Sequence, residues 1–143
     1  MKRKAIGTVL TGTLAMSGAV FGTAGPALAA GRSEACQPSA CGSATFTFKG
    51  KYQIAPISYS IRDTECGGGS DQAYVRLRVS FIGTTTQWVS KKWEDEVQCD
   101  NSYATYNSSY GAVNNLPIES AWVVVGDDNN GTSWGEPVDN PNT

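Results

Sequence analysis

The stretch AYVRLRVSFI at residues 73–82 decides the fold of this chain. Every second residue is large and apolar: Val75, Leu77, Val79 and Phe81. The residues between them include Arg76 and Arg78, which favour water. An alternation with a period of two places the two sets on opposite faces of a β-strand. The segment therefore predicts an antiparallel strand with one buried face and one solvated face.

Short segments rich in β-branched and aromatic residues recur on both sides of this strand, between clusters of Gly, Asn, Asp and Ser. We predict further strands at 44–49, 54–62, 86–93, 117–125 and 132–136. Pro56 places the second of these at an edge or delays its pairing. Residues 83–85 turn the chain into a hairpin whose register is open, because Trp88 and Val89 are adjacent and cannot share a face.

Six or seven short strands predict an all-β fold, a small two-sheet antiparallel β-sandwich, with a small partly open β-barrel as the alternative. The segment 117–125 is apolar on both sides, which predicts a strand buried on both faces. Asn130-Gly131 is a strong turn signal before the last predicted strand.

The first 29 residues have the features of a secretory signal peptide. A basic start at residues 2–4 precedes an uncharged apolar stretch at 6–21, and the small-x-small sequence at 27–29 places the cut between Ala29 and Ala30. We therefore predict a secreted, extracellular protein. The predicted organisation is a signal peptide at 1–29, an N-terminal disulfide-containing segment at 30–43, a single β domain at 44–138 and a frayed tail at 139–143.

The charge of the predicted mature chain is acidic. Removing Lys2, Arg3 and Lys4 from 11 basic residues leaves 8 against 13 acidic ones, a net charge of about -5. Phosphate backbones and anionic membranes are poor partners for such a surface. No later apolar run approaches the roughly 20 residues of a membrane span. We expect a monomer that binds no nucleic acid, no membrane and no cofactor.

Four cysteines follow the leader, and an even number in an exported chain predicts two disulfides. They are Cys36, Cys41, Cys66 and Cys99. The short interval around Pro38 favours Cys36 with Cys41, which leaves Cys66 for Cys99. Pairing of Cys36 with Cys66 and of Cys41 with Cys99 is the alternative. We expect no metal site, because the chain has no His and no paired C-x-x-C units.

The runs IRDTECGG at 61–68 and AYVRL at 73–77 resemble a pattern in small secreted proteins of filamentous actinobacteria, most of them uncharacterised. The resemblance implies a compact β-fold held by disulfides and implies no activity. Actinobacterial amylase and protease inhibitors are similar in class, but the Trp-Arg-Tyr triplet of the amylase inhibitors is missing and the cysteine spacing differs.

Without histidine, Ser-His and Cys-His mechanisms are excluded, and carboxylate chemistry on a glycosidic bond is the enzymatic option that remains. The candidate acids are Asp63, Glu65, Asp71, Glu94, Asp95, Glu96, Asp127 and Asp128. Each lies beside a predicted turn or strand end, where acids commonly bind backbone amides. We therefore predict that the protein is not an enzyme.

Residues 102–111 combine Tyr, Ser, Asn and Gly, the composition of adaptable recognition loops. The candidate binding residues are Tyr103, Tyr106, Tyr110, Trp88 and Trp134. An ordinary strand with outward tyrosines is the alternative, although the spacing of the three tyrosines fits no single strand face.

These observations predict a secreted, non-catalytic binding or surface-associated protein for an extracellular protein or polysaccharide. The second hypothesis is an inhibitor of a secreted hydrolase of the protease or amylase type, with a rigid loop closed by Cys36 and Cys41. The third is a small carboxylate-based carbohydrate-active enzyme.

Overall fold

The computed structural model describes residues 28–65, 72–96 and 102–143. The described strands are β1 (Leu28–Gln37), β2 (Ala40–Lys49), β3 (Ile54–Asp63), β4 (Tyr74–Phe81), β5 (Gln87–Val89), β6 (Trp93–Glu94), β7 (Ala104–Ser108), β8 (Ile118–Asp127), β9 (Gly131–Trp134) and β10 (Val138–Asp139). Within these ranges no helix is long and apolar enough to cross a membrane. The predicted signal peptide up to residue 27, and both Cys66 and Cys99, lie outside the described residues.

The strands form two antiparallel sheets that pack face to face, which confirms the predicted sandwich over the barrel. Sheet 1 has the order β1-β2-β3-β7. Sheet 2 has β8 and β4 at its centre. Two short strands flank β8 (β9 and β10), and two flank β4 (β5 and β6). Each edge of sheet 2 is therefore split into two pieces.

The core fills the space between the two sheets, as the alternation in β4 predicts. Val75, Leu77 and Val79 are fully buried, and Phe81 is 3% exposed. They meet apolar side chains on β3 and on β8. Burying one such side chain stabilises the fold by roughly 1.5–3 kcal/mol. β8 is also buried on its outer face at Trp122 and Val124, which confirms the two-sided burial predicted for this segment.

Residues 28–49 form one hairpin rather than a separate segment that precedes the β domain. β1 pairs with β2 along its full length, and Cys36 lies directly opposite Cys41, to which it is bridged. Of the two pairings considered for Cys36, the local one with Cys41 is therefore the one that the described residues form. The predicted domain boundary at residue 44 falls inside β2. The predicted cut between Ala29 and Ala30 falls inside β1, where these residues pair with Phe48 and Thr47.

A hydrogen-bond network around Asp127 ties the tip of this hairpin to the turn between β8 and β9. The Asp127 carboxylate accepts hydrogen bonds from Ser39 Oγ, from Gln37 Nε2 at 3.1 Å and from Asn129 N at 2.9 Å. It also accepts from the backbone and side-chain amides of Asn130. The predicted Asn-Gly turn is present, with Gly131 at φ 82°. Asp127 therefore acts as a turn cap that also anchors a second element.

The Asp127 network has an electrostatic consequence. Burial by itself raises the pKa of the Asp127 carboxyl, but hydrogen bonds from Ser39, Asn129 and Asn130 outweigh burial and hold that pKa below its ordinary value. Each of these donors interacts more strongly with the carboxylate than with the neutral acid. The network is therefore strongest when Asp127 is ionised.

Three predictions about the strands require correction. The return strand predicted at 86–93 is split into β5 and β6, and the tail predicted to fray is anchored. Val138–Asp139 pairs with β8, and the buried Asn140 donates to the carbonyls of Gly50 and Ile118. The expectation for Pro56 is also wrong: β3 is an inner strand between β2 and β7, and it pairs with β2 from Ile54, before the proline. Only the pairing with β7 begins after it, at Ile57. The described ranges hold ten strands where six or seven were predicted, because of this splitting and because of β1, β7 and β10.

Candidate functional site

The candidate site is a cleft at one open edge of the sandwich, where β7 of sheet 1 faces β5 and β6 of sheet 2. We call it the edge cleft, and its lining residues are Tyr59, Trp88, Ser90, Lys91, Trp93, Asn107, Ser108, Ser109 and Tyr110. Its volume of about 420 Å³ lies within the roughly 300–1,000 Å³ of ligand pockets. The cleft combines aromatic rings with one cation and several amide and hydroxyl groups.

The break between β5 and β6 places two tryptophans in this cleft. Trp88 pairs with Val79 and Trp93 pairs with Val75, so both tryptophans lie on the inner face of sheet 2. In a continuous strand, residues five apart point to opposite faces. The break between them resets the alternation, and it also leaves Val89 on the outer face.

Ser90 stabilises the break by replacing a backbone hydrogen-bonding group. Its hydroxyl accepts a hydrogen bond from the amide of Leu77 at 3.0 Å and donates one to the carbonyl of Lys91 at 2.9 Å. The Ser90 amide donates to the Leu77 carbonyl at 2.9 Å. The amide and the carbonyl of Leu77 are thus both hydrogen-bonded to Ser90. The interruption of the edge strand therefore leaves neither of these buried backbone groups unpaired.

Trp93 is the floor of the edge cleft and is held from several sides. Its ring stacks on Tyr106 with centroids 5.0 Å apart, and it contacts Tyr59 at 5.7 Å. Lys91 Nζ lies 3.6 Å from the centroid of the Trp93 ring, in cation–π contact. The Tyr106 hydroxyl donates to the carbonyl of Glu94. This packing fixes the rings in place before any ligand is present.

Two tyrosines in contact with Trp93 resist ionisation: Tyr59, which lines the edge cleft, and Tyr106, which packs behind its floor. Burial raises the pKa of the Tyr59 hydroxyl above its ordinary value. The pKa of Tyr106 is also raised, first by burial and then by the negative charges of Glu96, Asp95 and Glu94. Both phenols are therefore neutral throughout the physiological range and can act as hydrogen-bond donors.

The rim of the edge cleft is formed by the end of β7 and the residues that follow it. The Tyr110 side chain is 86% exposed, yet its backbone is held by Ser108. The Ser108 hydroxyl donates to the Tyr110 carbonyl at 2.8 Å and accepts from the Tyr110 amide at 3.2 Å. An exposed ring on a fixed backbone is typical of a recognition residue, because less freedom is lost on binding.

The structure separates the five predicted binding residues into three places. Trp88 and Tyr110 line the edge cleft, and Tyr106 packs behind its floor. Tyr103 lies away from the cleft, where its ring is 4.9 Å from the Arg62 guanidinium. Trp134 lies on the outer face of sheet 2. The Tyr-rich segment is thus a strand over Ala104–Ser108 that continues into an exposed rim.

Sequence reasoning did not assign Trp93 and Lys91 to the site. A signal was available in the spacing of Trp88 and Trp93, which only a break in the strand can bring to one face. Ser90 between them was the residue able to make that break, since serine hydroxyls substitute for backbone partners.

Several of the candidate acids that the structure describes accept hydrogen bonds from backbone amides. Asp63 accepts from the amide of Glu65 at 2.9 Å, and Asp95 accepts from the amide of Asp63 at 3.0 Å. Asp71 lies outside the described residues.

No protein-family model matches the sequence, and searches of curated proteins and of solved structures find no significant similarity. The function is therefore argued from the edge cleft itself.

Proposed function

We propose that this chain is a secreted, non-catalytic binding protein that holds an extracellular polysaccharide in the edge cleft. The observation that carries the proposal is the pairing of a fixed aromatic floor at Trp93 with an exposed ring at Tyr110. Tyrosine and tryptophan rings offer an apolar face with a polar handle, which suits the alternating faces and hydroxyls of sugar rings.

The polar groups of the cleft support a sugar ligand over a purely apolar one. Lys91, Asn107 and Ser109 line the same space as the rings. A small number of placed polar groups among aromatic side chains is the usual composition of a small-molecule site. Asp63 and Asp127 act as turn caps and Asp95 binds the amide of Asp63, which supports binding without catalysis. The Cys36–Cys41 disulfide supports an oxidising, extracellular location.

The inhibitor hypothesis has less support. Cys36 and Cys41 close the loop that it requires. An inhibitory loop must project into a cleft of its target, however, and this one is bound to its own domain. Ser39 is buried, and the Pro38 and Ser39 carbonyls accept hydrogen bonds from Thr64 at 2.7 and 2.9 Å. Only Pro38 of the two turn residues is exposed.

The test is retention of purified protein on insoluble neutral polysaccharides, with chitin and cellulose as probes. Tyr110→Ser removes the exposed ring and is expected to weaken retention about tenfold, since a stacked aromatic contact contributes roughly 1 kcal/mol or more. Tyr52→Ser is the matched control, because Tyr52 is a half-exposed tyrosine in the turn between β2 and β3 that does not line the cleft. Equal retention of the two folded variants would contradict the proposal.

A further inference from the structure

The outer face of sheet 2 carries two arginines that have no carboxylate partner among the described residues. Arg76 and Arg78 lie on the central strand β4. The ion pairs of the described ranges are Arg32 with Glu34 and Lys92 with Asp128. Arg78 Nη1 donates a hydrogen bond to Gln87 Oε1 at 3.2 Å, which leaves its charge unbalanced. On a chain whose net charge is negative, two guanidinium groups without a carboxylate partner among the described residues form a local positive patch.

Aromatic rings hold these arginines in place. The Arg78 guanidinium lies 4.5 Å from the centroid of the Trp134 ring, and Arg76 lies 5.4 Å from that of Tyr74. Trp134 in turn stacks on Trp122, with centroids 6.3 Å apart and planes inclined by 19°. We call these five residues the arginine platform.

The arginine platform contains hydrogen-bond donors that the protein does not use. The Nε atoms of Arg76 and Arg78 and the Nε1 atom of Trp122 are buried without a hydrogen-bond partner in the described part of the chain. Trp122 is only 8% exposed. Buried donors are nearly always paired in folded proteins. These three atoms are themselves buried, whereas Arg76 and Arg78 as residues are only partly buried, so an acceptor from outside the chain would meet the outer Nη atoms of the two guanidinium groups.

The platform also presents an accessible ring. Trp134 is 53% exposed although it contacts both Arg78 and Trp122. The backbone beneath is rigid, because Arg78 lies opposite Trp122 in the ladder of β4 and β8, the two central strands of sheet 2. A flat, fixed surface with one open indole and two cations suits an extended, anionic chain of sugar rings.

We propose that the arginine platform is a second binding site, which takes an acidic polysaccharide through its carboxylate groups. A guanidinium presents N–H donors in a planar fork that matches a carboxylate, and here Arg76 and Arg78 supply two such forks. The exposed face of Trp134 packs on a sugar ring next to the carboxylate. An acidic peptide could pair its carboxylates with Arg76 and Arg78 but would have no need of the exposed Trp134 ring, so the ring favours a polysaccharide. This site lies on the outer face of sheet 2 and does not depend on the function of the edge cleft.

The experiment measures binding of purified polygalacturonate oligomers by isothermal titration calorimetry, with the methyl-esterified oligomers as the neutral reference. The wild-type protein should bind the acid form and lose affinity as salt rises, since exposed charges are screened. Arg78→Gln and Trp134→Ala should each weaken binding about tenfold, the loss expected for one charge-assisted or stacking contact. Arg78→Lys keeps the charge but removes the fork, and should bind more weakly than wild type.

Two controls make the result decisive. Arg32→Gln removes an exposed arginine from sheet 1 and should leave affinity unchanged. Tyr52→Ser, at a half-exposed tyrosine outside both sites, should also leave it unchanged, and the affinity of Tyr110→Ser shows whether the edge cleft takes part instead. The proposal is overturned if Arg78→Gln binds like the wild type, if Tyr110→Ser is the variant that loses affinity, or if polyaspartate binds as tightly and Trp134→Ala has no effect.

Discussion

Replacing Asp127 by Asn should unfold this domain much more easily than the small chemical change suggests. The substitution preserves shape, so it creates no cavity. It removes the charge that five donors surround, and it places an NH2 group where Asp127 Oδ2 accepts from Gln37 Nε2 and Asn130 Nδ2, each at 3.1 Å. The new NH2 group then faces the NH2 groups of Gln37 and Asn130, and no acceptor lies between these donors. The buried Ser39 hydroxyl also loses its charged partner.

The magnitude follows from these contacts. A hydrogen bond to a charged group contributes roughly 1.5–3 kcal/mol, but neighbouring bonds do not add, and the amide oxygen of the substituted side chain keeps the contacts to the backbone amides. We expect a loss of about 3 kcal/mol at pH 7. In a domain of this size that lowers Tm by roughly 10 °C. It lowers the urea midpoint by roughly 1–2 M.

The assay is urea unfolding followed by tryptophan fluorescence, repeated from pH 7 to pH 2.5. Because the folded pKa of Asp127 lies below its ordinary value, its charge stabilises the fold at all pH values above the unfolded pKa of about 4. That contribution is lost as pH falls below 4 and through the folded pKa, so the wild type and D127N should converge there.

Asp128→Asn is the matched control, since Asp128 is exposed and its ion pair with Lys92 at 2.8 Å contributes about 0–1 kcal/mol. The reasoning is refuted if D127N and D128N are equally stable at pH 7. It is also refuted if the deficit of D127N is the same at pH 2.5 as at pH 7.

Three further outcomes are expected. Leu77→Ala, at a fully buried position of β4, should cost about 3 kcal/mol in urea unfolding. Tyr106→Phe keeps the stacked ring but loses the hydrogen bond to the Glu94 carbonyl, which should cost about 1 kcal/mol; in an alkaline absorbance titration it should remove one late-titrating phenol. Gly111→Ala would drive a Cβ into the Ile54 carbonyl oxygen, so it should yield little folded protein in a solubility and thermal-melt comparison.

The strands that sequence reasoning found are those whose side chains alternate in size and polarity. β4 follows this rule from Val75 to Phe81, and its inner face was identified completely, but Tyr74 on the outer face is buried as well. β1 was missed because its inward residues are small and carry no apolar signal. Gly31 leaves room for the Phe46 ring, and Ser33 bonds the carbonyl of Glu136 at 2.9 Å. Such a strand is defined by how its small residues fit side chains and carbonyls that are distant in the sequence. The composition of the strand itself does not predict those contacts.

The candidate site was predicted in its residue types but not in its geometry. Trp88, Tyr106 and Tyr110 meet at the edge cleft because two sheets bring them together across the edge of the sandwich. Trp93 joins them only because Ser90 interrupts the edge strand. Trp134 is an exposed ring, and its arginine neighbour Arg78 comes from β4, 56 positions earlier in the chain. Contacts between residues so far apart in the sequence depend on the order of the strands in the sheet. Local sequence patterns do not specify that order.

The split edges of sheet 2 affect how copies of this protein meet one another. A long, straight edge strand is a template on which another chain can add a strand, and this is how aggregation begins in many β-proteins. The edge pieces of sheet 2 are each four residues or shorter. In sheet 1, β1 offers an edge of ten residues. The other edge of sheet 1, β7, has five residues. Backbone pairing between two copies would therefore use β1 most readily, and the charged side chains of Arg32 and Glu34 on that strand disfavour it.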